Sequence, residues 1–132
     1  MAFQRKKGNF GTTMNTDLEK LQACGINVSE GVTRFLNRED FFLKYVLLFL
    51  QDHDMETFLS CYENKDVKGA FKAAHSLKAT TGNLALESLY EKLKPIVEIL
   101  RADRLPEQEE ITQLRTAYEK IVHTLQQIAE QQ

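Results

Sequence analysis

The chain has 132 residues and a formal charge of -2, with 42% hydrophobic and 27% charged residues, proportions of one soluble globular domain and not of a disordered, collagen-like or fibrous chain. Two prolines, six glycines and no tryptophan, with recurrent Leu, Glu, Lys, Gln and Ala, predict an all-α fold. The near-neutral total excludes a strongly basic nucleic-acid-binding surface, and no apolar run reaches the ~20 residues that a bilayer span requires.

Residues 1 to 14 are polar and without periodicity and read as a flexible arm, followed by one domain over residues 15 to 132. Arg5, Lys6 and Lys7 give that arm +3 and leave -5 on the remainder. No apolar run follows the basic cluster, so the segment is not a secretory signal, and a cytoplasmic protein is expected. Cys24 and Cys61 stand alone, without a CxxC pair or metal-ligand spacing, and read as ordinary buried thiols.

Asn15 or Thr16 is suited to cap a short helix carrying Leu18 and Leu21 that stops at Gly25. Ser29 is expected to open a second short piece, with Val32, Phe35 and Leu36 as its apolar contacts. Asn37 then caps a helix with Glu39 and Asp40 in its first turn, where acids favour the helix dipole. Phe42, Tyr45, Val46 and Phe49 lie at helical spacing, and Phe58, Leu59 and Tyr62 continue a similar face beyond Asp52-His53-Asp54. That acidic interruption either bends one long helix or separates two.

Asp66 is a cap for the next helix, which runs to about Asn83 before Leu84-Ala85-Leu86 turns the chain. Another helix carries Leu89, Leu93, Ile96, Val97 and Leu100, with Pro95 expected to kink it by removing an internal hydrogen bond. Pro106 fits the first turn of the last helix, ahead of Glu107, Glu109 and Glu110. Ile111, Leu114, Tyr118, Ile121, Leu125 and Ile128 then recur at three- and four-residue steps, a seam that must pack against other helices. The simplest way to bury these faces is an antiparallel four-helix bundle with the two short N-terminal helices over one end.

On a helical wheel, Ala70, Ala74, Leu77, Thr81 and Leu84 form one face, and His75 points ~150° away from its centre. Lys68, Lys72, Ala79 and Gly82 share the outward stripe of His75, and Lys78 is on the adjoining flank. Residues 65 to 86 carry a local +3 within an acidic body. Each feature alone is ordinary on a solvated helix. Together they combine a nucleophilic imidazole, cations suited to a dianionic phosphoryl group, and small neighbours that let another protein approach. The solvent-facing nitrogen, Nε2, is the expected nucleophile.

The segment Ala74-His75-Ser76-Leu77-Lys78-Ala79-Thr80-Thr81-Gly82-Asn83-Leu84-Ala85-Leu86 resembles the signature of histidine-containing phosphotransfer (HPt) domains, A-H-x-L-K-G, four variable residues, then L-G. It departs from that pattern at Ala79 and Ala85, where the family usually has glycine, and the added methyl of Ala79 falls on the expected docking surface. The resemblance spans roughly residues 16 to 130 and implies a four-helix bundle that carries a phosphoryl group on His75 between receiver-domain aspartates of response regulators, supplied by a hybrid histidine kinase. It implies Lys78 as the phosphate contact, with Lys68, Lys72, Ala79 and Gly82 facing the partner. It further implies that Mg²⁺ and most of the acidic active site come from the receiver, with no cofactor or metal held by this chain.

Lys94 and Arg101, on the following helix, are candidates to approach the site. His53, between two aspartates, and His123, on the outer face of the last helix, read as surface residues. A di-metal bundle needs inward Glu-x-x-His pairs, but Leu50, Lys72 and Lys120 precede the three histidines by three positions. A histidine-kinase phosphoacceptor domain requires an ATP-binding domain, for which this chain has no room, so no ATP-dependent enzyme activity is expected. A helical adaptor that binds a signalling partner without phosphoryl transfer is the alternative. No nucleic acid or membrane partner is expected, and a monomer is favoured.

Overall fold

The computed structural model describes residues 14–132, all-helical with no strand among them. Arg5, Lys6 and Lys7, with the rest of residues 1–13, lie outside the described residues. Helix α1 covers residues 14–23, beginning one residue inside the expected arm, so Asn15 and Thr16 sit in its first turn instead of capping it. It ends as expected at Gly25, whose φ of +107° belongs to the left-handed region that glycine enters without steric cost.

The helices α2 (Val28–Arg34), α3 (Glu39–Leu48), α4 (Asp54–Glu63), α5 (Val67–Asn83), α6 (Glu87–Arg101) and α7 (Gln108–Glu130) follow. Asn27, and not Ser29, caps α2: its side chain accepts from the Glu30 amide at 3.2 Å. Asn37 does not cap α3, because Leu36 and Asn37 both turn the chain in the left-handed region and Arg38 takes the cap position. That turn lifts Leu36 out of the core, leaving it 84% exposed. Phe42, Val46 and Phe49 are buried on α3 and the short 3₁₀ turn Phe49–Gln51 that extends it, while Tyr45 is half-exposed and stacks on Phe35 at 5.4 Å. The acidic interruption separates two helices. Asp52 is extended, and its carboxylate accepts from the Asp54 amide at 2.9 Å as α4 starts.

Asp66 caps α5 by accepting from the Gly69 amide at 3.0 Å. Helix α6 runs unbroken through Pro95, which lies on its exposed side. Pro106 falls outside α7, buried, with its carbonyl accepting from the Tyr62 hydroxyl at 2.8 Å. Glu107 is the cap instead, and its side chain and that of Glu110 each accept the other's backbone amide in a reciprocal box. The seam of α7 is buried at Ile111, Leu114, Ile121, Leu125 and Ile128, with Tyr118 half-buried.

Packing is mostly between sequence neighbours: α4 lies on α5, α5 on α6, α6 on α7, and α7 closes against α3 and its 3₁₀ extension. One core joins them, with Phe42, Phe58, Leu77, Leu89, Leu93, Ile96 and Leu114 among its fully buried side chains. Each such side chain contributes ~1.5–3 kcal/mol by leaving water, so the arrangement of α5 between α4 and α6 is strongly specified.

Candidate functional site

Helix α5 presents its small residues inward. Ala70, Ala73, Ala74, Leu77 and Thr81 are buried, and the alanines let α4 and α6 approach its backbone closely. Lys68, Lys72, His75, Ser76 and Ala79 are consequently exposed, as the wheel predicts for the outward stripe. Ser76 anchors this stretch to the neighbouring helix, its hydroxyl donating to Asp54 Oδ2 at 2.7 Å.

His75 lies against Phe71, one turn earlier on α5, with ring centroids 5.6 Å apart and planes 28° from parallel. The Arg101 guanidinium, from the last turn of α6, is 5.1 Å from the centroid of the Phe71 ring. His75 therefore has one aromatic neighbour restricting its ring while it faces solvent.

Beside it opens a cleft of about 670 Å³. Helix α5 contributes His75, Lys78, Ala79 and Gly82, α6 contributes Glu87, Tyr90 and Glu91, and Glu30 and Arg34 reach in from α2. Arg34 fixes that third wall: its guanidinium donates to the Gly82 carbonyl and pairs with Glu30. A cation on a carbonyl of the last turn of α5 also complements the negative end of the helix dipole.

The cations of α5 and α6 differ in their partners. Lys94 pairs with Glu91 at 3.3 Å and Arg101 with Glu98 at 3.3 Å, each on its own helix. Lys68, Lys72 and Lys78 form no ion pair among the described residues. Positive charge on α5 is thus left uncompensated, whereas that on α6 is largely answered locally. Lys78 is half-buried, with its ammonium 6.0 Å from the Tyr90 ring centroid; Lys94 stands 5.7 Å from the same ring.

Four of the residues selected from sequence, His75, Lys78, Ala79 and Gly82, line one cleft. Lys68 and Lys72 stay outside its lining, on the exposed N-terminal part of α5. Gly82 has an internal reason to be small: a Cβ there would stand 3.0 Å from Tyr90 Cε1 and 3.3 Å from Cδ1. Of the two alanines that depart from the resembled signature, Ala79 is exposed, while Ala85 is buried and held at φ +59°. His53 is exposed beside Glu56 at 3.7 Å, and His123 is exposed on α7.

Phe71, Tyr90, Glu30 and Arg34 are the neighbours sequence reasoning missed. The spacing of Phe71 one turn before His75 was a readable signal, because residues four apart share a helix face. Nothing local marks Arg34, which reaches a carbonyl 48 positions away.

Among family models of proteins, none matches this chain. Searches of curated proteins and of solved structures likewise find no match.

Proposed function

We propose that the chain is a histidine phosphotransfer protein of the HPt type, a four-helix bundle that shuttles a phosphoryl group between receiver-domain aspartates through His75. The observation that carries this reading is an exposed imidazole on the rim of a cleft, on a helix whose three lysines form no ion pair among the described residues. An imidazole at neutral pH retains a ring nitrogen able to attack phosphorus.

In the proposed reaction a receiver domain presents its phospho-aspartate to His75, with the attacking Nε2 and the departing carboxylate oxygen in line. The N–P bond forms as the P–O bond to the aspartate breaks, the carboxylate leaves with the electron pair, and the imidazole becomes positively charged. Loss of its ring proton to solvent leaves a phosphoramidate with a neutral ring and a still anionic phosphoryl group. The reverse sequence delivers the group to a second receiver. Lys78 stabilises the charge on the phosphoryl oxygens; Lys72 and Lys68 act at longer range by attracting the acidic partner pocket. Phe71 limits rotation of the acceptor ring, which lowers the cost of reaching the in-line geometry. The exposed Ala79 methyl occupies the approach path and selects among receivers by shape.

The test is incubation with phosphorylated receiver domains, comparing native protein with His75→Gln. Native protein gains acid-labile, base-stable label and the variant gains none; equal labelling of both would place the acceptor elsewhere. Lys78→Met retains the fold and accepts phosphate about tenfold more slowly, the scale of one charge-assisted hydrogen bond. Unchanged transfer in that variant would remove Lys78 from the mechanism.

A further inference from the structure

We infer that Tyr90 is the positioning residue that holds the Lys78 ammonium at the cleft for the phosphoryl group on His75. This inference deepens the phosphotransfer reading and rests on it.

Lys78 is a half-buried cation without a carboxylate partner among the described residues. An ammonium on a four-carbon stem normally spreads over many rotamers, and ordering it costs free energy that something must offset. The Lys78 ammonium does stand over the face of Tyr90, with Nζ 6.0 Å from the ring centroid. That separation is at the outer edge of cation–π attraction. Tyr90 also lines the cleft with His75 and Lys78, so ammonium, ring and imidazole border one space.

The ring itself is held from below. It rests against Gly82 so closely that a Cβ on that residue would stand 3.0 Å from Cε1. Lys94 approaches the same ring at 5.7 Å but is answered by Glu91, leaving Lys78 as the cation whose charge is free for an incoming anion. An aromatic face suits this purpose better than a carboxylate. It orients the ammonium without neutralising it, and it adds no negative charge to repel a phosphoryl dianion.

The test combines Tyr90→Leu, Tyr90→Phe, Lys78→Met and the double variant Lys78→Met/Tyr90→Leu in receiver-to-protein phosphoryl transfer, with circular dichroism to compare folding. Loss of the ring in Tyr90→Leu is expected to slow transfer about three- to tenfold, while Tyr90→Phe stays within about twofold of native. Once Lys78 is replaced, adding Tyr90→Leu costs nothing further, because the ring acts through that ammonium. A purely structural Tyr90 would slow the double variant beyond Lys78→Met, and that result overturns the inference, as does native-like transfer in Tyr90→Leu or equal slowing in Tyr90→Phe.

A second readout is independent of phosphate. Ring-current shifts move the Lys78 side-chain methylene protons upfield in the native NMR spectrum and disappear in Tyr90→Leu. Their absence overturns the contact itself. If the shifts are present but native protein accepts no phosphate from any receiver, phosphotransfer fails, and with it the positioning role, while the Lys78–Tyr90 packing stands.

Discussion

Replacing Gly31 by alanine tests how the third wall of the cleft is held. Gly31 is buried in the middle of α2, and a Cβ there would stand 2.5 Å from Phe42 Cζ, 2.9 Å from Cδ1 and closer still to Cε1. Alanine is favoured over glycine inside a helix by ~0.8–1.0 kcal/mol, so propensity alone predicts a more stable protein. Phe42 is fully buried, however, and cannot swing into solvent. Overpacking of this kind costs ~1–3 kcal/mol, and at this degree of overlap the upper half of that range applies. The net expectation is a loss of ~1–2 kcal/mol, or ~4–7 °C in Tm for a domain of this length. Thermal and urea unfolding followed by circular dichroism measure it. In a Phe42→Leu background the penalty shrinks, because the smaller side chain makes room. An unchanged or raised Tm for Gly31→Ala in the native background would refute the close approach of α2 to Phe42, and with it the account of how Glu30 and Arg34 are placed.

Asp66→Ala removes the cap of α5 and is expected to cost ~1 kcal/mol in urea unfolding; the proposed phosphoryl acceptance at His75, more than two turns away, is expected to stay near its native level. Ala85→Gly relieves a left-handed backbone worth ~1–2 kcal/mol. Against that gain, it widens the unfolded ensemble by ~0.4–1 kcal/mol and deletes a buried methyl worth ~0.8 kcal/mol. Unfolding free energy should therefore stay within ~0.8 kcal/mol of native, and a larger stabilisation would show that the methyl is not packed. Burial, followed by the charges of Glu107 and Glu110, pushes the Tyr62 phenol up from its ordinary value; burial, then Glu56 and Asp52, does the same for Tyr118. A raised folded value means that stability is fully present below the unfolded tyrosine pKa of ~10 and declines as pH rises from there towards the folded value. Urea titrations between pH 8 and pH 11 should show that decline, reduced in Tyr62→Phe and Tyr118→Phe; a parallel decline in both variants would assign it elsewhere.

Signals confined to one helix were legible in the sequence. The outward direction of His75 followed from inward Ala70, Ala74 and Leu77, and the Asp66 cap and the α7 seam depended only on neighbours a few residues away. Helix entries that compete for several polar residues were not legible. Asn27 and Ser29 are both good caps, and the choice is settled by a further bond that Asn27 makes, its backbone N–H donating to the Ala85 carbonyl across the fold at 2.8 Å. Pro106 met the local rule for a first helical turn, yet its carbonyl is taken by Tyr62, which places α7's start two residues later. At the site, the motif indicated His75 and Lys78 but not the residues that share their cleft from other helices. Tyr90 and Arg34 belong to α6 and α2, and helical periodicity carries no information about which residues meet across a packing interface.

The order in which the helices pack bears on how the molecule acquires its shape. Contacts of α5 with α4 and of α5 with α6 span connections of only a few residues, whereas pairing of α7 with α3 must bring together segments separated by residues 49–107. Loop-closure entropy is small for the former and larger for the latter, and chains dominated by local contacts fold quickly. The helix bearing His75 thus lies in the part of the molecule whose assembly demands the least chain closure, and the α3–α7 junction is the kinetic bottleneck to expect, at the far end of the topology from the imidazole.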